Sequence, residues 1–190
     1  MPRNRAVSDR LVLASASERR VELLAQIGVF PRVVPANIDE SSIRHDDPVR
    51  LAVDLAQAKV LVVAATESPP VLAADTVVVV GAALLEKPGD RQDAERMLRL
   101  LAGRTHRVIT GIAYVPDAGA LRTAYAESEV TFTSLADAEI EALLDSDEWV
   151  GVAGAYRVQG LAARHVTRIC GSYSNVVGLP LHLVYSILTQ

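Results

Sequence analysis

Leu11-Val12-Leu13-Ala14-Ser15-Ala16-Ser17-Glu18-Arg19-Arg20 decides the fold class of this 190-residue chain. An apolar strand runs into small hydroxyl residues and then into Val21–Ile27, an amphipathic run with helical spacing that Gly28 is placed to stop. A strand delivered directly into a helix is the repeating unit of α/β folds. The same stretch also breaks a local rule. Arg19 and Arg20 fall in the first helical turn, where the helix dipole disfavours cations. A bound anion would compensate, because helix N-termini present free N–H groups and Ser15, Ser17, Arg19 and Arg20 add donors. A capping serine followed by two solvated arginines is the plain alternative.

Outward from this unit the pattern keeps alternating. Residues 1–9 read as a loose tail ahead of a single domain over 10–190. Phe30–Val34 is a second short strand, and Asn37–Asp47 is polar and acid-rich. Pro48 opens a helix over Val49–Ala65, with Leu51, Leu55, Ala58 and Val62 expected on its apolar face. Ser68-Pro69-Pro70 breaks the chain before Val71–Val80, a β-branched run with Leu84–Lys87 as its partner strand. Asp90 is placed to cap a helix over Ala94–Leu101, which Gly103 ends. Arg104–Val115 and Leu121–Thr133 flank a Pro116-to-Gly119 turn, a hairpin signal. A helix over Ala136–Leu144, a glycine-rich loop over Trp149–Gly160, a strand over His165–Cys170 and a helix over Pro180–Leu188 complete the chain. Strand–helix units beside one long hairpin predict α/β architecture with a mixed sheet.

Half the residues are hydrophobic and only 4% aromatic, so the core is aliphatic. The net charge of −4 excludes nucleic-acid binding through overall charge and confines any phosphate-binding charge to a local site. One cysteine, Cys170, permits no internal disulfide and fits a reducing compartment. No signal-peptide core precedes the first strand, and no apolar run approaches the roughly 20 residues of a membrane span. The expectation is a cytoplasmic protein.

Asp75 is the sharpest single residue, a carboxylate inside Val71–Val80. An ionised carboxylate in a buried strand is costly unless it is paired or metal-bound. At the end or bend of such a strand it serves as metal ligand or general base; in the plain alternative the strand breaks and Asp75 caps a turn. The chain's two lysines, Lys59 and Lys87, suit point-charge contacts to phosphate; either alone reads first as a solvated surface residue, and together with Arg19, Arg20 and the acidic groups they point to a polyphosphate ligand. Asp39, Glu40, Asp75 and Glu86 are acidic residues available to a divalent ion, and magnesium needs only one or two carboxylates when phosphate completes its shell. The chain has no Walker loop, Rossmann fingerprint, zinc-like histidine spacing or serine-hydrolase elbow. His106 lies on a strand and by itself reads as structural. In Gly151–Gly160 the glycines permit close backbone approach to a ligand, and the Gln159 amide both donates and accepts, as a base edge requires; a flexible surface loop is the alternative. Gly171–Pro180 reads as a second ligand wall or a capped helix start.

Six motifs in order resemble the Maf family of nucleoside triphosphate pyrophosphatases: Ala14–Arg20, Ala74–Val78, Glu86–Asp90, His106–Gly111, Ala153–Gly160 and Ser174–Pro180. The resemblance covers Leu11–Leu188. It implies an elongated α/β fold similar to the inosine triphosphate pyrophosphatases, two lobes around a nucleotide cleft, and a homodimer. It implies hydrolysis of a nucleoside triphosphate to the monophosphate and pyrophosphate with Mg²⁺ or Mn²⁺. The family's catalytic aspartate falls on Asp75, which with Glu40 would hold the metal; its phosphate-binding positions fall on Ser15, Arg20, Lys59 and Lys87. Arg19, Thr76 and Gln159 match the branch that prefers dTTP and UTP, where the branch acting on 7-methyl-GTP tends to carry Trp, Glu and Glu. Glu18 replaces the family's usual Pro, and Val152 and Arg157 stand where Lys and Gly are more usual. The family's link to arrest of cell division supplies a second reading, a regulator that binds nucleotide or a partner without turnover.

Overall fold

The opening strand–helix unit is present in a computed structural model that describes residues 10–189. The expected tail over 1–9 lies outside the described residues. Strand β1 (Val12–Leu13) leads through Ser15–Ser17 into helix α1 (Glu18–Gln26). Gly28, with φ 74°, ends that helix in the left-handed conformation glycine adopts most cheaply. β2 (Arg32–Val33) runs parallel to β1, and a 3-10 turn over Glu40–Ser42 follows, its Ser41 N–H donating to the Asp39 carboxylate at 3.0 Å.

Helix α2 (Pro48–Ala64) starts where Pro48 predicts, with the Val49 N–H donating to the Asp47 carboxylate at 2.9 Å. Its buried face differs from the expected one. Leu51 and Leu55 are buried, but Val62 is 47% exposed, and the buried stripe is Leu51, Ala52, Leu55, Ala56, Lys59, Val60 and Val63. The stripe is wider than the four-residue reading and takes in a lysine, because that lysine finds an anion inside.

Strand β3 (Val71–Val80) pairs in parallel with β1 at Val71 and Leu72, and antiparallel with β4 (Ala83–Leu85) at Val78–Val80. β4 is shorter than the expected Leu84–Lys87; Glu86 and Lys87 leave the ladder ahead of Pro88, which has no N–H to continue one. Helix α3 (Arg91–Leu101) begins one turn earlier than expected, right after its cap, where the Asp93 N–H donates to Asp90 at 2.8 Å. Gly103, with φ 68°, follows its end.

β5 (Thr105–Val115) and β6 (Arg122–Phe132) are sheet neighbours. Their cross-strand contacts, Arg104 with Phe132, Thr105 with Thr131 and Arg107 with Glu127, run in opposite order along the two strands, as an antiparallel pair requires. Helix α4 (Asp137–Asp145), two 3-10 turns (Ala153–Ala155 and Leu161–His165), β7 (Val166–Cys170), α5 (Tyr173–Val177) and α6 (Leu181–Thr189) complete the described chain. The seven strands form one mixed sheet in the order β2-β1-β3-β5-β6-β7, with β4 on β3. No helix among the described residues is long and apolar enough to cross a membrane.

The chain divides into two compact units. The first holds the chain up to Asp75, Thr110–Ala126 and the stretch from Gly178; the second holds Thr76–Ile109 and Glu127–Val177. Each has its own apolar core. In the first, Val12, Val60, Val63, Val71 and Ala113 pack together. Here β5 passes so close to α2 that a Cβ on Gly111 would run into the Ala52 backbone carbonyl. In the second, Leu98, Val108, Val130, Phe132 and Ile140 form the core.

Candidate active site

Asp75 lies inside a continuous β3, between the residues paired to β1 and those paired to β4, so the strand-break alternative is excluded. It is 5% exposed. Its carboxylate Oδ1 accepts a hydrogen bond from Lys59 Nζ at 2.5 Å, and the same ammonium contacts Glu40 Oε1 at 2.8 Å. Lys59 is itself 6% exposed, which excludes the solvated-lysine alternative at this position. Three elements therefore converge: the middle of β3, the buried face of α2 and the 3-10 turn carrying Glu40. The turn explains why Glu40 sits here, since the Asp39 cap folds the polar stretch tightly just before it.

A second polar group lies at the start of α1. Ser17 occupies the capping position, but its side chain makes no capping bond. Ser15 substitutes: its hydroxyl oxygen accepts from the Ser17 N–H at 3.2 Å and from Arg20 Nη1 at 3.0 Å. Arg20 Nε donates to the Gly178 carbonyl at 2.9 Å. The arginine that conflicts with the helix dipole is thus fixed along two edges of its guanidinium. Burial pulls its pKa down from the ordinary value, while the negative charges of Asp75 and Glu40 oppose that fall. Those Coulombic couplings join the two groups into one electrostatic cluster. Asp75 and Glu40 offset Lys59 and Arg20, so the cluster is close to neutral before any ligand arrives.

Asp75 and Glu40 are the residues that could hold a divalent ion. Both present an oxygen to one point, now held by Lys59 Nζ. Two carboxylates with phosphate oxygens are the donor set a magnesium or manganese ion takes at a nucleotide. Among the described residues no group of three or more His, Cys, Asp or Glu is arranged to hold a metal. Asp75 and Glu40 would be the protein's share of the coordination shell.

The remaining sequence-selected residues are placed less deeply. Arg19 is half-buried on α1 beside Arg20. Thr76, Lys87 and Gln159 belong to the second unit, with Thr76 half-buried on β3 and Lys87 and Gln159 exposed. Within that unit the Gly154 N–H donates to the Glu86 carbonyl at 3.2 Å, which ties the loop bearing Gln159 to the segment bearing Lys87.

Two features escaped the sequence reading. The Gly178 carbonyl anchors Arg20 from 158 positions away, and nothing local announces that. The second is the anchor of the Gly171–Pro180 segment, which is a capped helix start: the Asn175 N–H donates to the Ser172 hydroxyl at 3.3 Å at the head of α5. Asn175 is wholly buried, and its amide donates to the Val108 carbonyl and the Ser128 hydroxyl, both at 3.0 Å. That pins the short α5 against β5 and β6, a structural role that a buried asparagine in a small-polar segment could have signalled.

Fold and site define an α/β protein whose central strand carries a buried, cation-braced carboxylate next to an arginine held at a helix start, a constellation suited to phosphate chemistry. The chain belongs to the Maf-like protein family, whose model matches residues 10–190. A protein of Caulobacter vibrioides named dTTP/UTP pyrophosphatase is 48% identical over 186 residues, covering 97% of this chain and 96% of that one. Another of that name, from Paramagnetospirillum magneticum, is 49% identical over 173 residues, covering 90% and 91%. Among solved structures, a nucleoside-triphosphatase / dITP/XTP pyrophosphatase of Mycobacterium abscessus is similar at 14% identity and a TM-score of 0.41, covering 66% of this chain and 75% of that one.

Proposed function

We propose that this protein hydrolyses nucleoside triphosphates, dTTP and UTP in preference, to the monophosphate and pyrophosphate. One observation carries the reading: the buried Asp75–Lys59–Glu40 cluster in a chain nearly half identical, over almost its full length, to proteins named dTTP/UTP pyrophosphatase. Burying a carboxylate and an ammonium gives little net stability, so a cluster of this kind is better explained by chemistry than by folding.

In this reading Ser15, Arg20, Lys59 and Lys87 bind phosphate oxygens and neutralise charge as it develops on them. The hydroxyl of Ser15 already accepts two hydrogen bonds, which leaves its proton to donate to an anion. Asp75 takes a proton from water as the water oxygen bonds to the α-phosphorus. The bridging α–β bond breaks, and pyrophosphate leaves with the bonding electron pair. A near-neutral cluster has no surplus charge for a triphosphate, which favours a divalent cation entering with the substrate. Asp75 and Glu40 would hold Mg²⁺ or Mn²⁺, which would supply charge neutralisation at the phosphates. Arg19, Thr76 and Gln159 select the base.

The test is pyrophosphate release from dTTP, UTP, CTP and 7-methyl-GTP with Mg²⁺ or Mn²⁺ present. dTTP and UTP are expected to be cleaved fastest. Cleavage of none of the four overturns the proposal.

A further inference from the structure

Gln159 sits on a loop held by side chains that the proposed reaction does not use. On one side of it, the Tyr156 hydroxyl shares a hydrogen bond of 2.7 Å with His106 Nε2 on β5. The two rings and Phe132 pack edge to face, with centroids 4.8 to 5.4 Å apart. On the other side, the Leu161 N–H donates to Glu148 Oε2 at 2.8 Å, and Gly160 lies so close to that carboxylate that a Cβ would collide with it. The loop enters this clamp through Gly154 and Ala155, both in the left-handed region at φ 72° and 61°. A Cβ on Gly154 would come within 3.1 Å of Val78. Only the short run from Arg157 to Gly160 lies between the two anchors.

Tyr156 and His106 are buried, and the tyrosine hydroxyl is taken up by the imidazole. Gln159, between the anchors, is exposed. A primary amide distinguishes bases by presenting a donor and an acceptor together, and that works only if the amide is held in register, since hydrogen bonds weaken steeply off-axis. A loop entered through left-handed residues is held in that shape by its contacts.

We infer that Tyr156, with His106, and Glu148 are positioning residues for base selection: they act through Gln159 and touch no substrate. The inference rests on the reading that Gln159 meets the base. Kinetics for dTTP and GTP separate the two claims. Gln159→Ala is expected to lower the dTTP-over-GTP preference in kcat/KM; an unchanged preference defeats the underlying reading. If Gln159→Ala does lower it, Tyr156→Phe is expected to raise KM for dTTP about fivefold, with kcat within about twofold, as loss of one hydrogen bond dictates. The preference should fall too. In the Tyr156→Phe/Gln159→Ala double variant it should fall no further than in Gln159→Ala alone, because the hydroxyl then has nothing to position. Glu148→Ala is expected to behave like Tyr156→Phe, and Glu148→Gln, which keeps an acceptor for Leu161, to restore the preference. That pair carries the test should Tyr156→Phe not fold. Variants that lower only thermal stability with preference intact, or losses that add in the double variant, overturn the proposal.

Discussion

Asp75 on β3 and His106 on β5 pose the same problem and receive opposite solutions. Each is a titratable side chain inside an apolar strand, and each is almost wholly buried. Asp75 is matched by a buried cation, Lys59, and by the charge of Arg20. Among the described residues His106 has no charge partner; it meets a tyrosine hydroxyl and two aromatic rings, and burial pushes its pKa down to about 4, so it stays neutral. Burial can be met by pairing a charge or by refusing one. The paired site keeps charge where phosphate chemistry can use it, whereas the neutral site supplies rigidity.

The largest expected effect comes from breaking the paired site. Lys59→Met leaves Asp75 buried without its cation and is expected to cost about 3–5 kcal/mol, read from urea midpoints. Adding Asp75→Asn removes the stranded charge, so the double variant should recover much of that stability and none of the activity. A double variant as unstable as the single would show that packing, not charge, sets the cost.

Next is the pH dependence of the neutral site. Below about pH 6.5 the unfolded chain protonates its histidine, while folded His106 refuses the proton until about pH 4. Stability attributable to His106 therefore falls as pH drops through that window, by about 3 kcal/mol across it. Urea midpoints between pH 7 and pH 4 should fall less steeply in His106→Gln than in the parent. Burial also lowers the pKa of His165, which acts in the same direction and is common to both proteins. Parallel profiles would contradict a neutral His106.

The smallest effect belongs to the neighbour of His106 on the same strand. Arg107 points away from the core to Glu127, at 2.6 Å, with both side chains more than a third exposed. Arg107→Ala is expected to cost less than about 1 kcal/mol in low salt and to become undetectable in concentrated salt. A loss as large as that of Lys59→Met would erase the distinction between exposed and buried pairs.

Much of this was legible in the sequence where the signal is local. The strand–helix opening, the Asp90 cap, Pro48 at a helix start, and Gly28 and Gly103 at helix ends all follow from chemistry within a few residues. Asp75 stood out because an acid interrupts a β-branched run. What stayed hidden depends on partners distant along the chain. Taken alone, Lys59 reads as a surface residue because its anion lies 16 positions away, so the apolar face expected for α2 leaves it out. The anchor of Arg20 at Gly178 and the partner of His106 at Tyr156, 50 positions on, exist only once the sheet is assembled. Gly111 shows the same limit. Its role is to let β5 approach the α2 backbone, which nothing near it in the sequence announces.

The most direct test of the central claim compares the parent protein with Asp75→Asn, with dTTP and Mg²⁺ present and folding of the variant verified by circular dichroism. The buried carboxylate is predicted to be indispensable: pyrophosphate release should fall by roughly 10³-fold, the scale of losing a positioned general base, while dTTP still raises the variant's melting temperature. A folded variant that releases pyrophosphate within about tenfold of the parent rate, an effect too small for such a base, would contradict the account.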